Sequence, residues 1–459
     1  MGYKAIRKLG LLCSCLILAA CSSSQSRDNY TELAQQEFDN ITENKPYLWE
    51  ELDQVAEVSY LTDLINDPLL EQLIQQALSS NPSLQKTLLT LQASLWEIKS
   101  EHGEQLPTAE AGFSAGKSEG SNSSYTADIT VSWEVDLWQK LAVSEQASEK
   151  SLASDEALYQ SSRDTLIANV MKSWLAITAK QRAIQIEQQR LALLEANEGL
   201  ILKRFRNGLG DLEALDEART STSQSRSDLA SFIEELAIEK RDLQLYLGTD
   251  ELPNIAEKID YPSVDITFLN LPNQSLQRRP DLKASYLAIE AADLSTTVAY
   301  KDMLPSISLS ATLSETAESP SKALFGSPIW SLLGQLTQPL YQGGQLKAAA
   351  EIAKLETAQA FQDYRETLLN AVYEVENALG QENVLALQER YTRDALISSQ
   401  NNLKQYEKKY RTGLVELSDL IDVQTTTFDL EAELDDLIYQ HLSNRVDLGL
   451  ALGLGVKQQ

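Results

Sequence analysis

The sequence predicts a mainly α-helical protein that also contributes strands to a transmembrane β-barrel. Three observations carry this prediction. The chain repeats itself, and each half carries a short helix, two strands and two long helices in the same order. The predicted strands alternate between apolar and polar residues, which suits one face in lipid and one in water. The longest helical segments place apolar residues every seven positions, as coiled coils do.

The composition excludes several classes of function. The 459 residues include 39 Lys and Arg but 67 Asp and Glu, and the net charge of −28 disfavours nucleic acid and anionic lipid surfaces as main partners. The acidic residues either keep the surface soluble or line an acidic lumen that favours cations. No nucleotide-binding loop or nucleophile–histidine pair is recognisable in the sequence. We therefore expect a protein that is not an enzyme and needs no cofactor.

Cysteine and histidine usage argues against a metal site. All three cysteines lie within the first 21 residues, so the body of the chain carries neither a disulfide framework nor a cysteine-rich metal site. The two histidines, His102 and His441, are far apart in sequence, and each is interpreted as a surface or helix-packing residue. With three methionines, Met1 among them, a methionine-rich metal relay has little support.

The first 20 residues are typical of a signal peptide. A basic start precedes an apolar run that is too short to cross a membrane as a stable helix. The run ends in LAAC at 18–21, which resembles a bacterial lipobox and implies cleavage before Cys21 and acylation of that cysteine. Ser22 in the next position resembles the sorting signal of outer-membrane lipoproteins in Gram-negative bacteria. Residues 21–58 are then a lipid-anchored, extended tether; a plain signal peptide with a chance cysteine is the alternative.

Three short matches, in the same order in both halves, reveal the internal repeat. They are NPSL at 81–84 with RPDL at 279–282, QLP at 105–107 with MLP at 303–305, and FRNGL at 205–209 with YRTGL at 410–414. We predict a first repeat at 59–260 and a second at 261–459. The strands are expected at about 107–137 and 305–341, and the long helices at about 139–248 and 343–453. Leu-Pro pairs end the short helix of each repeat, because proline removes a donor and disfavours helix before it.

The strands give the clearest periodic signal. From Tyr125 to Leu137 the residues alternate without exception between apolar and polar, so the two sets lie on opposite faces. The fourth strand, near Trp330 to Leu340, alternates poorly. A half-buried hairpin in a soluble protein would show the same alternation as a membrane strand. If the strands do span a membrane, four are too few to close a barrel, so several copies of the chain must pool them.

The long helices are predicted to pack as coiled coils. Val170, Ile177, Ile184 and Leu191 recur every seven residues, which gives a left-handed seam. The segment from about 140 to 205 contains no proline, and as a helix it would measure about 100 Å. A rod of that length must bury its apolar stripe against other helices along most of its length.

These features together are similar to the TolC-like outer-membrane efflux proteins, and to the lipoprotein branch that serves resistance-nodulation-division pumps. The resemblance covers about residues 60 to 455. Its strongest local matches are RNGL at 206–209, YRTGL at 410–414, LYQGG at 340–344 and VDLGLALG at 446–453. Gly449 and Gly455 are departures from the family pattern. The resemblance implies a homotrimer with one twelve-stranded barrel in the outer membrane and a helical cylinder through the periplasm, with a periplasmic adaptor protein and an inner-membrane pump as partners.

The resemblance also implies two sets of functional residues. The glycine turns would lie at the periplasmic tip and dock the adaptor, through Gly208, Leu209, Leu212, Gly413, Leu414 and Leu417. Leucines at such turns also fit simple packing within the helical hairpin, and this alternative stays open. The periplasmic gate would be formed by Tyr410, Arg411, Asp419 and Asp422. Acids at a helix start also serve as caps, which is the alternative for the two aspartates. The first repeat carries Glu213 and Asp216 at shifted positions, so a gate from that repeat is less secure.

The function expected from these observations is a passive conduit that carries small toxic compounds across the periplasm and the outer membrane. One alternative is the outer-membrane component of a type I protein secretion system, which uses the same architecture. A second alternative, of a different class, is a periplasmic coiled-coil structural lipoprotein with soluble hairpins.

Overall fold

A computed structural model shows a mainly helical chain with one four-stranded sheet, which confirms the predicted fold class. The structure describes residues 29–43, 60–120, 122–251, 260–262, 264 and 276–456. The predicted signal peptide and Cys21 lie outside the described residues, as does most of the predicted tether. Within the described ranges, no helix is both long enough and apolar enough to cross a membrane.

The elements repeat in the order that the sequence predicts. The helices are α1 (Tyr30–Glu43), α2 (Pro68–Ser80), α3 (Pro82–Glu104), α4 (Lys140–Arg206), α5 (Leu212–Leu247), α6 (Pro280–Lys301), α7 (Pro320–Phe325), α8 (Gln345–Arg411) and α9 (Leu417–Ala451). The strands are β1 (Thr108–Gly116), β2 (Ser124–Glu134), β3 (Ser306–Ala317) and β4 (Ile329–Thr337). Helices α4 and α8 each have 67 residues, and both their ends differ by 205 positions (345 − 140 and 411 − 206). The two longest helices are therefore equivalent residue by residue.

The short helices α3 and α6 begin where the sequence matches begin. Each has proline at its first position, where the missing N–H costs nothing. Asn81 caps α3 by accepting a hydrogen bond from the N–H of Leu84 at 2.9 Å. At the C-terminal ends of α3 and α6, two tryptophan indoles form hydrogen bonds that link these helices to strand β2 and the residues after it. The Nε1 atom of Trp133 donates to the carbonyl of Gln105 at 2.9 Å, and that of Trp138 donates to the carbonyl of Pro305 at 2.6 Å.

The sheet is antiparallel throughout, in the order β1-β2-β3-β4. Residues paired across strands share a face, so the register sorts the side chains. One face is apolar and exposed, and Ile129, Leu313 and Trp330 lie on it. The other face carries hydroxyls, including the Thr130–Thr312 pair whose side-chain oxygens are 3.1 Å apart. The predicted amphipathic sheet is present as one open layer.

Strand β4 alternates poorly for a reason that the register shows. Ile329 and Leu333 pair with Ser314 and Ser310, so these two apolar side chains lie on the hydroxyl face. Trp330 and the other apolar residues of β4 lie on the apolar face as expected. Both faces of β4 therefore carry apolar residues, and the alternation in the sequence is lost.

Helix α1 corrects the prediction of an extended tether. Residues 30–43 form a helix, because Tyr30, Ala34 and Phe38 recur every four positions and give it one apolar face. That face packs against α6 and α8, where the ring of Tyr30 lies 5.5 Å from the ring of Phe361. The sequence pattern for this helix is present but short.

The largest core lies where α2, α4, α5 and α9 meet. Val170 and Ile177 are buried there, as the seven-residue spacing predicts. Further along α4, the residues of the same seven-residue repeat are less buried, and Ile184 and Leu191 are only half-buried. The coiled-coil seam is therefore tightest at the level of this core and looser towards the turn.

Polar pairs join the two repeats along the α4–α9 seam. They are Lys172 with Asp447, Arg182 with Asp435, Arg190 with Asp429, and Asn197 with Gln424. The numbers rise along α4 and fall along α9, so the helices are antiparallel. Only the Arg182–Asp435 pair has a buried carboxylate, and Tyr261 donates a hydrogen bond to the same aspartate at 3.1 Å. Exposed pairs of this kind contribute about 0.2–1 kcal/mol each, so the seam sets register more than stability.

Gly455 and Val456 are held against the largest core by backbone hydrogen bonds, one of which goes to a buried carboxylate. Asp164 on α4 is 3% exposed, and its Oδ1 accepts hydrogen bonds from the Nε2 of Gln160 at 2.8 Å and the N–H of Val456 at 3.1 Å. The carbonyl of Gly455 accepts from the N–H of Leu61 at 3.1 Å. Burial raises the pKa of Asp164 to about 6, against the opposing effect of its hydrogen bonds.

Replacing Asp164 with asparagine should remove a pH dependence of stability. Because the folded pKa is raised, the stabilising contribution of the protonated acid is present below pH 3.8 and is lost as the pH rises through about 6. Asparagine keeps an oxygen for both hydrogen bonds without the charge, so Asp164→Asn should be more stable above pH 7 by up to about 3 kcal/mol. Thermal unfolding midpoints between about pH 4 and pH 8 measure this. The exposed Glu71→Gln is the control, and an Asp164→Asn profile that still follows the unchanged protein would contradict the assignment.

Candidate functional site

The first long hairpin reverses at a glycine turn. Helix α4 ends at Arg206, and Gly208 has a φ of +70°, in the left-handed region. The N–H of Leu209 donates to the carbonyl of Arg204 at 2.9 Å, and the N–H of Gly208 donates to the carbonyl of Phe205 at 3.0 Å. This pair of hydrogen bonds is the Schellman motif, which satisfies the last carbonyls of the helix.

The second long hairpin reverses in the same way. Gly413 has a φ of +72°, and its N–H donates to the carbonyl of Tyr410 at 3.0 Å. The N–H of Leu414 donates to the carbonyl of Lys409 at 2.9 Å. A methyl group at Gly208 or Gly413 would meet nothing within 4 Å. Glycine is therefore needed at both turns for its backbone conformation and not for space.

The predicted docking leucines fall into two groups. Leu209, Leu212 and Leu414 are 70%, 55% and 74% exposed. Leu417 is 5% exposed and packs inside the hairpin, so its burial fits the packing alternative. Three of the four leucines thus form an apolar surface on the turns, which we call the turn leucines (Leu209, Leu212 and Leu414).

Asp419 is already engaged at the start of α9. Its Oδ2 accepts a hydrogen bond from the N–H of Glu416 at 3.0 Å, and the side chain of Glu416 accepts from the backbone of Asp419 in return. This reciprocal arrangement is a capping box, and it satisfies two donors at the helix end. The capping alternative therefore holds for Asp419, whose carboxylate nevertheless stays exposed.

A groove of about 840 Å³ lies between the two turns and is lined by both hairpins. We call it the tip groove. Among its lining residues are Arg204, Glu217, Tyr410 and Asp422. Two of the four predicted gate residues, Tyr410 and Asp422, are therefore brought together, whereas Arg411 and Asp419 lie outside the lining of the groove.

Glu217 is a residue of the tip groove that the sequence analysis missed. It stands at the position equivalent to Asp422, because 217 + 205 = 422, and both acids line the tip groove. The acids chosen from the sequence, Glu213 and Asp216, do not line it. The offset of the turn motif was the signal that would have found Glu217.

The charge of the tip groove is predominantly acidic. Its charged lining residues are Arg204, Asp211, Glu217, Glu416 and Asp422. Asp211 and Glu416 cap α5 and α9, which leaves Glu217 and Asp422 available to the groove. Within the described ranges, no group of three or more histidine, cysteine, aspartate or glutamate side chains is arranged to hold a metal ion. The arrangement suits contact with a passing cation or a protein surface.

A comparison with known families agrees with this architecture. The family described as outer membrane efflux protein matches residues 73–249 and 271–454, which together are most of the chain. The chain belongs to the outer membrane efflux protein family. The two matched ranges each contain two strands, a very long helix and a glycine turn.

Individual members of the family are similar over most of their length. The cation efflux system protein CusC of Escherichia coli is 26% identical over 98% of this chain and 99% of its own. The toluene efflux pump outer membrane protein TtgC of Pseudomonas putida is 27% identical over 86% of this chain and 84% of its own. The crystal structure of the Campylobacter jejuni CmeC outer membrane channel has a TM-score of 0.81 at 18% identity, over 89% of this chain and 91% of that one. The last similarity is one of fold.

Alanine at the turn glycines should weaken the turns through conformation alone. Gly208→Ala and Gly413→Ala should each cost about 1–2 kcal/mol, because a left-handed backbone disfavours any Cβ. Gly199→Ala is the matched control within α4, where a methyl also meets nothing within 4 Å. It should be neutral or stabilising by up to about 1 kcal/mol. Hydrogen exchange of the amides flanking each turn measures the difference, and equal effects at all three glycines would refute the conformational argument.

Proposed function

We propose that this protein is the outer-membrane channel of a tripartite efflux system, a passive conduit for small toxic compounds. It works as a homotrimer with a periplasmic adaptor protein and an inner-membrane pump. The observation that carries the proposal is a sheet with one exposed apolar face and two open edges, continuous with helices of 67 residues. As ideal helices these measure about 100 Å, which suits a tube through the periplasm.

The open edges of the sheet support an oligomer. Strands β1 and β4 each pair on one side only, so every copy offers an edge to a neighbour at both ends of its sheet. Helix α8 offers a second unpartnered surface, with exposed apolar residues that recur on one face at Leu369, Tyr373, Val384, Leu387 and Tyr391. Exposed apolar residues that recur on one helix face are typical of a protein interface. Closing the ring through copies would satisfy both surfaces at once.

The position of α1 supports acylation of Cys21 in the outer membrane. Nine residue steps separate Cys21 from Tyr30, and a fully extended chain of that length spans at most about 30 Å. Tyr30 packs on Phe361, which lies 16 residues, or about 24 Å of helix, below the start of α8. A lipid at Cys21 is thus within reach of the level where the helices meet the sheet. The division into a signal peptide, a lipid-anchored N-terminal region and two repeats (59–260 and 261–459) is part of this proposal.

The names of the relatives favour efflux over protein secretion. CusC is named for cation efflux and TtgC for toluene efflux, and both align over most of this chain. Two such different cargoes on one architecture support a model in which the pump, and not the conduit, supplies most of the selectivity. The cargo proposed for this protein is therefore a class, small toxic compounds, and not a single molecule.

The turn leucines and the tip groove are proposed to be the adaptor-docking surface and the channel entrance. Gly208 and Gly413 shape the turns, and Leu417 supports the second turn from inside. Asp422, with Asp419, Tyr410 and Arg411, forms the gate, and Glu217 joins it from the first repeat. In a trimer, the carboxylates of three copies would lie together at one constriction, as do the rings of acidic side chains that favour cations in other pores.

Charge at the turn leucines should uncouple the channel from its adaptor. The double variant Leu209→Asp and Leu414→Asp should reach the outer membrane in normal amounts, since both side chains are exposed, but should lose export. Susceptibility of a strain lacking the native channel to a panel of toxic compounds measures this, together with adaptor capture after crosslinking. Leu209→Met with Leu414→Met keeps the apolar surface and should retain export. Normal resistance in the aspartate variant would overturn the docking role.

Neutral residues in the tip groove should reduce cation preference. Glu217→Gln with Asp422→Asn removes the two groove acids that do not cap helices. The reversal potential in a planar bilayer under a salt gradient should move towards zero, because fewer fixed anions attract cations. The control is Glu213→Gln with Asp216→Asn. This variant changes two acids near the first turn that do not line the groove. Equal selectivity in both variants would show that the entrance lies elsewhere.

A further inference from the structure

A buried histidine joins the two helices of the second long hairpin. His441 on α9 is 6% exposed and lies between two glutamates of α8. Its Nε2 is 2.9 Å from Oε1 of Glu382, and its Nδ1 is 3.0 Å from Oε2 of Glu389. Glu382 is 4% exposed, so the contact is sealed from bulk water on that side.

The geometry requires a charged imidazole ring. A carboxylate oxygen can only accept a hydrogen bond, so each of the two ring nitrogens must carry a proton. Both are protonated only in the imidazolium ion. The neutral ring would turn one lone pair towards a carboxylate, which is repulsive in a buried site.

Other charged groups surround this contact and do not replace it. On α9, the Nε of Arg445 is 3.0 Å from Oε1 of Glu382, its Nη2 is 3.4 Å from Nε2 of His441, and its Nη1 donates to the carbonyl of Val264 at 2.9 Å. On α8, Arg393 pairs with Oε1 of Glu389 at 2.7 Å. The face of α9 towards α4 carries its own pair, Arg182 with Asp435, and Tyr261 contacts it. Each glutamate therefore keeps an arginine partner, but only His441 spans both glutamates.

The first long hairpin has an apolar contact at the same place. With the offset of 205, Glu382, Glu389 and His441 correspond to Ile177, Ile184 and Leu236. Ile177 is buried in the largest core, and Leu236 packs against it. Equivalent positions of the two hairpins are therefore filled by aliphatic side chains in the first and by a buried ionic cluster in the second. Apolar residues hold such a site at least as well as buried charges do, so stability alone does not account for the difference.

We propose that His441, Glu382 and Glu389 form a proton-operated clasp that fixes α8 to α9 when the imidazole is charged and loosens them when it is neutral. The first hairpin has no titratable group at these three positions and stays closed between about pH 6 and pH 9. The proposal goes beyond the proposed conduit function, and it concerns the second hairpin of each copy by itself.

The direction of the pH response follows from the partners. Burial and the nearby charge of Arg445 lower the pKa of His441, but the hydrogen bonds to Glu382 and Glu389 outweigh both and raise the pKa above its ordinary 6.5. A raised pKa means that this contribution is complete below pH 6.5 and is lost as the pH rises through the folded value. For both glutamates, burial acts upwards, but the hydrogen bonds from His441 and the arginines lower the net pKa below 4.5. Their contribution is present above pH 4.5 and is lost in stronger acid, so the clasp is tightest between these limits.

The clasp lies well above the turn that bears the candidate entrance. Glu389 precedes the end of α8 by 22 residues, or about 33 Å of helix. Gly380, two residues before Glu382, has open space around it, and glycine within a helix allows more backbone freedom than other residues do. Release of the clasp therefore loosens α8 from α9 along the lower part of the second hairpin, while the pairs Arg190–Asp429 and Asn197–Gln424 still hold α9 to α4. The equivalent part of the first hairpin stays packed.

Hydrogen exchange on the full-length protein in detergent tests the clasp directly. Protection factors, corrected for intrinsic exchange, are compared at about pH 6 and pH 9 for residues 378–393 and 437–448, and for the equivalent residues 173–188 and 232–243. Protection in the second hairpin should fall by about tenfold at the higher pH, because one deprotonation removes the bridge. Protection in the first hairpin should stay constant.

Two variants separate proton sensing from packing. His441→Gln bridges only one glutamate and never titrates, so its second hairpin should show low protection that is the same at both pH values. Glu382→Ile, Glu389→Ile and His441→Leu together copy the first hairpin and should give high protection at both pH values. The clasp is refuted if both hairpins of the unchanged protein respond equally to pH, or if the response persists in His441→Gln.

Discussion

The backbone of an open sheet must find hydrogen-bond partners, and this requirement organises the rest of the molecule. Each copy builds four strands and leaves β1 and β4 with one unpaired edge each. In lipid such an edge is costly, because no water is present to satisfy its N–H and C=O groups. The two edges can be satisfied only by other copies. The long helices that continue from the strands are then brought side by side, and their exposed stripes become buried in turn.

The duplication gives each copy two equivalent arms, but the arms are held differently. The first arm is packed into the largest core through aliphatic side chains of α4 and α5. The second arm packs through a smaller apolar cluster of α8 and α9, and it adds polar contacts along the α4–α9 seam and at the buried His441 cluster. Polar contacts depend on geometry and ionisation in a way that aliphatic contacts do not. With the proposed clasp, one scaffold combines an arm that does not respond to pH with an arm that does.

Much of the fold could be predicted because its signals are long. The alternation from Tyr125 to Leu137 and the matches at a nearly constant offset leave few other interpretations. Strand β4 was weaker because Ile329 and Leu333 lie on the hydroxyl face, and helix α1 was missed because fourteen residues carry too short a pattern. These misses arise where tertiary contacts, and not local periodicity, decide the structure.

The site was harder to predict than the fold. Glycine turns can be recognised because a left-handed backbone favours one residue type, and both were placed correctly. The role of an acid depends on its partner, and partners are not visible in sequence. Asp419 turned out to cap a helix, Glu217 was overlooked, and His441, interpreted as a surface or packing residue, lies between two glutamates. Helical spacing offered one clue, since Glu382 and Glu389 are seven positions apart and share a face.

The equal length of α4 and α8 limits how this protein can change in size. Both arms must end at one level for the tip groove to form between their turns. Insertion of a heptad into α4 alone would push one turn about 10 Å past the other and remove the groove. It would also need a compensating heptad in α5, because the two helices of an arm run side by side. A longer or shorter tube therefore requires four coordinated changes in one chain, one in each of α4, α5, α8 and α9. The length of the tube is thus far more constrained than the identity of its surface residues.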